Sequence, residues 1–450
     1  MSPAQPEGGP LPGAGELPGA VRASSGSPPG FPPGSPPGSS ARPFCVYLHV
    51  PYCRVRCGYC DFNTYTNLNM GPGASAGDFV DTLAGELALA GAAMDRAGLP
   101  RRRARTVFVG GGTPTVLPAA DLVRMLDLVR RTWGLAPGAE VTTEANPETV
   151  DEAYLATLAR AGFTRVSVGM QSAVPRVLAV LDRAHTPQRV PLVVDWARRA
   201  GLSTSLDLIY GAPGESMDDW RRSLETAIGI GPDHISAYAL VVEEGTRMWG
   251  RVRRGELPMP SDDDEAAKYE MADAVLAGAG YRWYEISNWA RPGAECRHNE
   301  AYWRDWDWYG AGPGAHSHLG DVRMWDVKHP VAWAGRVAAG RLPVAGHEVI
   351  DARARRLERV MLGIRMREGL DLAGLGGGEE EDDGGARGGG AVGLGLTERT
   401  GPGRTPSRLV PVVARLVADG LLQPDAALRG RAVLTLRGRL MADAVTRALV

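Results

Sequence analysis

The chain has 450 residues, of which 44% are hydrophobic, and its formal net charge is −2. This balance excludes a collagen-like fibre, a chain disordered throughout, and a protein whose overall charge attracts nucleic acid or an anionic membrane. The sequence contains no run of about 18 apolar residues, so we expect no membrane-spanning helix.

Glycine and proline are concentrated in two segments of the sequence. Residues 1–43 contain 12 prolines and 9 glycines, and residues 374–403 contain 13 glycines and one proline. Such segments bury too little apolar surface to offset the entropy lost on ordering. We therefore predict a disordered tail over residues 1–42 and a flexible Gly/acidic insertion over residues 374–404. The tail lacks the basic start and apolar stretch of a signal peptide, and we expect a cytoplasmic protein.

Between these segments, short β-branched or apolar runs alternate with amphipathic helical stretches. The predicted strands are residues 44–50, 106–109, 141–143, 165–168, 203–209 and 234–240. The predicted helices are residues 78–97, 119–132, 151–161, 174–181, 191–200 and 217–228. This alternation predicts parallel strands with helices outside. Because polar motifs recur just after the strand ends, we predict an α/β fold whose core, residues 43–242, is a partial TIM-type barrel of six βα units.

The pattern changes after about residue 243. Seven of the eleven tryptophans lie between residues 281 and 333, which predicts an aromatic-rich α+β subdomain over residues 243–373. Residues 405–450 have the pattern of helix, short hairpin and helix. That pattern is typical of a small winged-helix-like module, a shape that binds DNA in some proteins and often serves only for packing.

Three of the five cysteines, Cys53, Cys57 and Cys60, lie within eight residues directly after the first predicted strand. In a reducing compartment such thiols are metal ligands or buried thiols rather than disulfides. Zinc usually takes four ligands, and a ferredoxin has more cysteines at other intervals. Three thiolates on one loop can instead hold three irons of a 4Fe-4S cluster and leave the fourth iron open to a ligand. Three reduced structural cysteines are the alternative.

Glycine and polar motifs follow the next predicted strands. They comprise Gly110–Pro114 after the second strand, Glu144 after the third, Gln171 and Arg183 after the fourth, and Asp207 in the fifth. Alone, each is equally well explained as a tight turn, a helix cap or an ion-pair partner. Polar groups from successive strand ends converge on one cleft, however, which makes the series more informative than its members.

In this order the motifs resemble the radical S-adenosylmethionine (SAM) superfamily, and within it the branch of the oxygen-independent coproporphyrinogen III oxidase HemN and the haem chaperone HemW. The resemblance covers residues 44–373, with a looser match over residues 405–450. It implies that Cys53, Cys57 and Cys60 bind a 4Fe-4S cluster. It implies a SAM site formed by Tyr47, Tyr59, Gly111, Gly112, Thr113, Glu144, Gln171, Arg183 and Asp207. It assigns no catalytic residue.

Two details favour the chaperones of this branch over the oxidases. The oxidase pattern has a further cysteine two residues after the third, where this chain has Phe62. Downstream, residues 298–303 and 310–317 resemble the HNxxYW and GxGxGAHS segments of the chaperones. These segments imply a haem region that includes His298, Asn299, Tyr302, Trp303 and His316.

The resemblance therefore implies a protein that binds haem, a 4Fe-4S cluster and SAM and transfers haem to acceptor proteins, with an electron donor if SAM is cleaved. The alternative is a coproporphyrinogen III oxidase, which decarboxylates porphyrinogen propionates. A third hypothesis, an RNA-modifying radical SAM enzyme, requires a basic groove, for which the sequence offers the arginine run of residues 101–105. We expect no nucleic-acid partner.

The tryptophan-rich region has two interpretations. Clustered aromatic side chains usually pack into a core. Alternatively, they form an apolar slot for a flat macrocycle, with His298, His316 or His318 as an axial ligand of iron. Cys296 is either a thiolate ligand of haem iron or, more simply, a buried free cysteine.

Overall fold

The computed structural model describes residues 8–12, 16–22, 42–375 and 407–450. These residues divide into two units: the first ends at Asp351 and the second runs from Ala352 to Val450. The sequence had suggested a boundary near residue 373. Residues 352–375 instead belong with the C-terminal residues, because their short strand pairs with one near the C-terminus.

The described part of the first unit begins with six consecutive parallel strands, as predicted. They are β1 (Phe44–Val50), β2 (Ala104–Gly111), β3 (Leu135–Ala145), β4 (Arg165–Gln171), β5 (Ser203–Tyr210) and β6 (His234–Ala239). The helices that follow them are α1 (Phe79–Arg96), α2 (Ala119–Thr132), α3 (Glu152–Ala161), α4 (Pro175–Val180), α5 (Arg189–Arg199) and α6 (Met217–Ile230). The prediction of an α/β fold with six βα units is confirmed.

Sequence chemistry explains where these elements begin and end. The Asp151 side chain accepts from the backbone N–H of Tyr154 at 2.8 Å and so caps α3. Ser216 and Asp219 form a reciprocal capping box at the start of α6. Gly162 and Gly231 end the same two helices in the left-handed conformation, which costs glycine little. The strands of the parallel region are largely buried on both faces, as parallel sheets require.

The remaining strands of the first unit extend the same sheet on both sides. They are β7 (Arg282–Glu285), β8 (Asn288–Ala290), β9 (Asp307–Ala311), β10 (His316–Leu319), β11 (Val322–Asp326) and β12 (Val344–Val349). Among the described residues the sheet has the order β12-β11-β10-β9-β1-β2-β3-β4-β5-β6-β8-β7. β9 pairs with β1 in parallel, whereas β8 pairs with β6 antiparallel. The barrel is therefore partial, and the strands predicted for a separate subdomain continue its sheet.

Helices α7 (Arg247–Arg253), α8 (Asp262–Gly278), α9 (Arg297–Trp303) and α10 (Pro330–Ala338) accompany these added strands. A buried carboxylate ties them to the core. Glu86 of α1 accepts from the backbone N–H of Gly312, just after β9, at 2.9 Å, and from the indole N–H of Trp333 of α10 at 2.6 Å. Two donors from distant parts of the chain thus satisfy a carboxyl group that is fully buried.

Two short stretches of the predicted disordered tail are placed by the structure. His347 of β12 donates its backbone N–H to the carbonyl oxygen of Gly9 at 3.0 Å. Leu17 and Val21 are buried, which shows that apolar residues within a Pro/Gly-rich segment can still pack. The rest of the tail up to residue 41, and the insertion over residues 376–406, lie outside the described residues.

The described part of the second unit contains α11 (Ala352–Gly363), β13 (Leu370–Asp371), α12 (Val410–Ala418), α13 (Pro424–Leu428), β14 (Arg431–Ala432), α14 (Leu436–Leu440) and α15 (Ala442–Leu449). Leu422 and Leu434 form an isolated antiparallel bridge, which corresponds to the predicted short hairpin. The assignment of a winged-helix-like module stays a prediction. No helix of the described residues is long and apolar enough to cross a membrane.

Replacing Leu87 by alanine should lower the free energy of unfolding by about 2–5 kcal/mol, because Leu87 is fully buried on the inner face of α1 and its loss leaves a cavity. The matched control is Leu192→Ala on α5, where the side chain is 48% exposed and little should change. Urea unfolding of both variants provides the measurement, and equal losses would contradict the packing described.

Candidate active site

A cavity of about 450 Å³ runs along the inner face of the parallel strands and opens at their carboxyl ends. Alternate residues of β4, namely Arg165, Ser167, Gly169 and Gln171, line it, as expected for one face of a strand. All of the predicted cluster and SAM residues also line it: Tyr47, Cys53, Cys57, Tyr59, Cys60, Gly111, Gly112, Thr113, Glu144, Gln171, Arg183 and Asp207. The structure therefore brings together residues that span 160 positions of the sequence.

The three thiols lie on residues 51–65, here called the cysteine loop, directly after β1. Backbone hydrogen bonds fix this loop: Cys53 donates to Tyr65 at 3.0 Å, and Gly58 donates to Leu181 at 3.1 Å. Met248 of α7 donates in turn to the carbonyl oxygen of Gly58 at 2.8 Å. The loop is thus held from within and from two other segments.

Polar groups from other segments surround the sulfur atoms. The Thr113 hydroxyl donates to Cys53 Sγ at 3.6 Å, and Arg183 Nη1 donates to Cys57 Sγ at 3.3 Å. The Thr64 hydroxyl lies 3.9 Å from Cys60 Sγ. Donors of this kind stabilise thiolates and the sulfur ligands of metal centres.

The fit of the site to a 4Fe-4S cluster rests on its donor set. Among the described residues no three His, Cys, Asp or Glu side chains are arranged so that they could hold a single metal ion. Burial raises the pKa of Cys53 to about 11 and also raises the pKa of Cys60. Such thiols stay protonated unless a metal replaces the proton. Three sulfur donors on one loop, each beside a hydrogen-bond donor, suit a cluster with three protein ligands.

Two glycines allow the end of β2 to approach the cysteine loop. A Cβ atom on Gly112 would lie 2.6 Å from the carbonyl oxygen of Tyr52 and 3.0 Å from Cys53 Sγ. Gly111 has a φ of +110°, and a Cβ atom there would lie 2.6 Å from the ring of His49. The GGG motif is therefore needed for contact between protein segments as well as for its place in the cavity wall.

Two carboxyl groups lie deeper in the cavity. Glu144 accepts from the backbone N–H of Gly111 at 3.1 Å, and Asp207 accepts from the Ser167 hydroxyl at 2.9 and 3.0 Å. Burial, with the charge of Asp207 as a second cause, raises the pKa of Glu144 to about 8, and burial also raises the pKa of Asp207. A ligand with positive charge would relieve this cost.

Arg183 supplies a cation beside the thiols. Its guanidinium also donates to the carbonyl oxygen of Gly169 at 3.2 Å and to His185 Nδ1 at 3.3 Å. Gln171 ends β4 with a φ of +61°, a conformation that is rare outside glycine and that is found most often at functional sites. The hydrogen bonds of Arg183 hold its guanidinium beside Cys57. The SAM-binding roles of Arg183 and Gln171 stay predictions.

The deep end of the cavity is aromatic. The rings of Phe108 and His298 stack at 5.0 Å, and the rings of Tyr47 and Phe108 at 6.3 Å. His298 Nδ1 is hydrogen-bonded to the Thr106 hydroxyl at 2.6 Å, and its Nε2 to the Tyr302 hydroxyl at 3.0 Å. Burial lowers the pKa of His298 to about 3. Both ring nitrogens are thus engaged within the protein, so iron ligation by His298 would require breaking one of these bonds.

The structure separates the other members of the predicted haem region. Asn299 and Tyr302 line the cavity together with His298, whereas Trp303 and His316 are not among the described residues that line it. The Trp303 side chain hydrogen-bonds Glu285, and His316 is exposed on β10. His318 Nε2 forms a hydrogen bond with the carbonyl oxygen of Gly320 at 2.9 Å.

The tryptophan-rich region forms core. Residues 281–333 are described throughout, and of their seven tryptophans Trp289, Trp306, Trp325 and Trp333 are buried. No tryptophan is among the described residues that line the cavity. Cys296 is also buried, donates to Glu140 Oε1 at 3.6 Å, and has its pKa raised by burial to about 12. These contacts favour the packing interpretation over a slot formed by tryptophans, and a buried free thiol over a thiolate.

One residue that sequence reasoning missed is Asn63. Its side-chain amide donates to the carbonyl oxygens of Pro313 and Lys328, both at 2.8 Å, and so fastens the cysteine loop to the segments that flank β10 and β11. Gly314 must lack a side chain here, since a Cβ atom would lie 2.7 Å from the Asn63 amide nitrogen. The GxGxGAHS motif was visible in the sequence, but no local pattern identifies a partner about 250 positions away.

The sequence and the fold are similar to those of known radical SAM proteins. The family model described as "Radical SAM superfamily" matches residues 47–227. A Mycobacterium tuberculosis protein named "Heme chaperone HemW" is 49% identical over 410 residues, which cover 91% of this chain and 95% of the relative. The chain belongs to the HemW family of radical SAM proteins. Its cofactors accordingly include a 4Fe-4S cluster and SAM.

More distant relatives agree with this assignment. The Escherichia coli protein named "Heme chaperone HemW" is 38% identical over 62% of this chain and 70% of its own length. A Bos taurus protein named "Radical S-adenosyl methionine domain-containing protein 1, mitochondrial" is 32% identical over 72% of this chain and 74% of its own length. The solved structure of Escherichia coli coproporphyrinogen III oxidase (HemN) matches with a TM-score of 0.71, 20% identity, and coverage of 91% of this chain and 90% of that chain. At that identity, the likeness shows the fold alone.

Replacing Glu144 by glutamine should make the stability of the cofactor-free protein less dependent on pH between 6 and 8. The Glu144 pKa is raised to about 8, so the folded protein keeps a proton that the unfolded chain has already released. The free energy of unfolding therefore falls by on the order of 1–2 kcal/mol as the pH rises from 6 to 8. Glutamine cannot titrate, so the variant lacks this part of the decrease. Urea unfolding at pH 6, 7 and 8 measures the difference in slope.

The control for this experiment is Glu244→Gln, which changes an exposed carboxylate. It should leave the wild-type dependence on pH unchanged. A Glu144→Gln variant with the same slope as the wild type would show that the Glu144 carboxyl group is ionised at neutral pH in the folded protein.

Proposed function

We propose that this protein is a haem chaperone: it binds haem, a 4Fe-4S cluster and SAM, and it transfers haem to acceptor proteins. The observation that carries the proposal is the 49% identity, over nearly the whole of both chains, to a protein named "Heme chaperone HemW". The proposed location is the cytoplasm. The identity of the acceptors is left open, and an electron donor is required if SAM is cleaved.

In this proposal Cys53, Cys57 and Cys60 would hold the cluster through three of its irons, and SAM would bind in the cavity that these three residues line. The chemistry that a reduced cluster supplies in this superfamily is one-electron cleavage of SAM. The protein's own part is to hold the thiols and to keep the ligand in a sheltered cavity. Arg183 beside Cys57 supports this arrangement, since a guanidinium can pair with the SAM carboxylate.

The charges of the cavity support SAM as the ligand. SAM carries a sulfonium, an ammonium and a carboxylate group, and so has a net positive charge. Glu144 and Asp207 can accept from its ammonium and hydroxyl groups, and their ionised forms are stabilised by its positive charge. Gln171 and Tyr59 line the same cavity. Gln171 can hydrogen-bond a hydroxyl group of SAM, and Tyr59 can cover one of its apolar faces.

The two alternative functions have less support. A coproporphyrinogen III oxidase is disfavoured because Phe62 stands where the oxidase pattern has a fourth cysteine. An RNA-modifying enzyme is disfavoured because three of the four arginines of the basic run contact other side chains of the protein. Arg101 pairs with Asp95 at 2.8 Å and Arg102 with Asp307 at 2.5 Å.

Purified and anaerobically reconstituted protein should bind haem in a stoichiometric ratio, visible as a saturable change in the haem absorbance spectrum. It should not decarboxylate coproporphyrinogen III in the presence of SAM and a reductant, because nothing in the chaperone proposal requires that reaction. Mass analysis of the porphyrinogen product tests this. Loss of two carboxyl groups with consumption of SAM would reject the chaperone in favour of the oxidase.

Single replacements of Cys53, Cys57 or Cys60 by alanine should each remove most of the iron and acid-labile sulfide that the wild type gains on reconstitution, since a cluster with three protein ligands loses a third of its anchors. The matched controls are Cys45→Ala and Cys296→Ala, which change buried cysteines outside the loop. These controls should keep the wild-type iron content. Retention of the full cluster by any of the three loop variants would contradict the ligand assignment.

A further inference from the structure

Two large apolar side chains of the cysteine loop are exposed at the mouth of the cavity. Val55 is 56% exposed and Phe62 is 62% exposed, and both line the cavity. A residue that lines a cavity and is also exposed lies at its opening. Clustered exposed apolar groups commonly mark a binding surface. Whatever covers Val55 and Phe62 therefore also covers the entrance above the thiols.

A second segment adds apolar side chains to the cavity. Tyr238, near the end of β6, lines the cavity and is 41% exposed, and Leu240 lines it two residues further on. Apolar side chains from the cysteine loop and from the end of β6 thus line the same cavity and are in part exposed, which suits a ligand with a broad apolar surface.

Positive charge accompanies the apolar wall of the cysteine loop. Arg54 and Arg56 are the sequence neighbours of Val55, and both are exposed. Arg56 Nη2 donates to the carbonyl oxygens of Cys60 at 3.2 Å and Phe62 at 3.4 Å, so its guanidinium lies beside the backbone of the residue whose ring is exposed. Guanidinium groups bind carboxylates strongly and in a defined geometry.

The mouth and the interior offer different groups to a ligand. The interior holds the carboxyl groups of Glu144 and Asp207 together with the guanidinium groups of Arg165 and Arg183, which suits a small ligand with charges of both signs. At the mouth Arg56 lines the cavity beside exposed apolar side chains, and Arg54 is exposed two residues before it, which suits an apolar ligand with negative groups. Haem is such a ligand, since it has a flat apolar macrocycle and two propionate groups.

Resting on the proposed haem-chaperone function, we propose that haem binds at the mouth of the cavity. Its macrocycle lies between the Val55–Phe62 wall and the end of β6, and its propionates pair with Arg54 and Arg56. The haem site is then separate from the deep aromatic end, where His298 has both ring nitrogens engaged. In this proposal SAM binds in the interior of the cavity and haem binds at its mouth.

The test is anaerobic titration of haem into the reconstituted full chain, with iron and sulfide content measured for every variant. The Arg54→Gln/Arg56→Gln double variant and the Phe62→Gln variant should each raise the Kd for haem by about tenfold or more. Arg54→Lys/Arg56→Lys, which keeps the charge, should recover part of the affinity. The matched controls, Arg101→Gln/Arg103→Gln and Leu192→Gln, change exposed side chains elsewhere and should bind haem as the wild type does.

Two measurements keep the test valid if a loop variant loses its cluster. Tyr238→Gln changes a partly exposed residue of β6 that lines the cavity, leaves the cysteine loop unaltered, and should raise the Kd several-fold. The dimethyl ester of haem lacks the propionate charges and should bind to the wild type about tenfold more weakly than haem does. The ester should bind equally well to the wild type and to the Arg54→Gln/Arg56→Gln variant.

The outcomes separate the two proposals. A wild-type protein that binds no haem rejects the proposed function itself. Wild-type haem binding that neither the mouth variants nor esterification weakens rejects the site at the mouth and leaves the function in place. Mouth variants that bind haem normally but no longer transfer it would assign the same surface to an acceptor protein and would also overturn the haem site proposed here.

Discussion

The arrangement of the cavity depends on one constraint: three thiols must be held at the end of β1 with one side open. Hydrogen bonds within the loop, such as Cys53 N–H to the carbonyl oxygen of Tyr65, do part of this, and other segments supply the rest. Thr113 after β2 and Arg183 after α4 donate to two of the sulfur atoms, and Asn63 ties the loop to the segments beside β10 and β11. The parallel sheet matters because it brings these separate segments to one edge.

The same constraint explains why the cavity contains groups that are costly to bury. Glu144 and Asp207 lie where desolvation raises their pKa, and Gln171 has an unfavourable backbone conformation. None of these features stabilises the protein without cofactors. A cationic ligand in the cavity stabilises the ionised forms of the two carboxyl groups, so part of the binding energy of SAM offsets the cost of burying them in advance.

Much of the fold was predictable from the sequence because local patterns determine the βα units. Strand β1 and helix α2 begin and end at the predicted residues. β2 and β3 are longer than predicted, because Gly110, Gly111 and the Pro/Gly-containing start of β3 still belong to paired strands although their composition is atypical of strands. Strand pairing over long distances, such as β1 with β9, leaves no local pattern and was not predicted.

The candidate site was likewise predictable from the sequence only in part. Its thiols and polar residues were recognisable because each stands in a short motif next to a strand end. The role of Asn63, the engagement of both His298 nitrogens and the packing of the tryptophans depend on contacts between segments far apart in sequence. Such contacts become visible only once the sheet has assembled.

In the proposed site the cysteine loop leaves one iron of the cluster open to SAM inside this cavity. Electron–nuclear double resonance on the reduced, reconstituted protein, with SAM labelled with ¹⁵N at the amino group and ¹³C at the carboxylate, measures this contact. Both labels should show hyperfine coupling to the cluster, and the Arg183→Gln variant should lose the carboxylate coupling or change its size. A wild-type spectrum that shows SAM bound but neither label coupled to the cluster would contradict the proposed site.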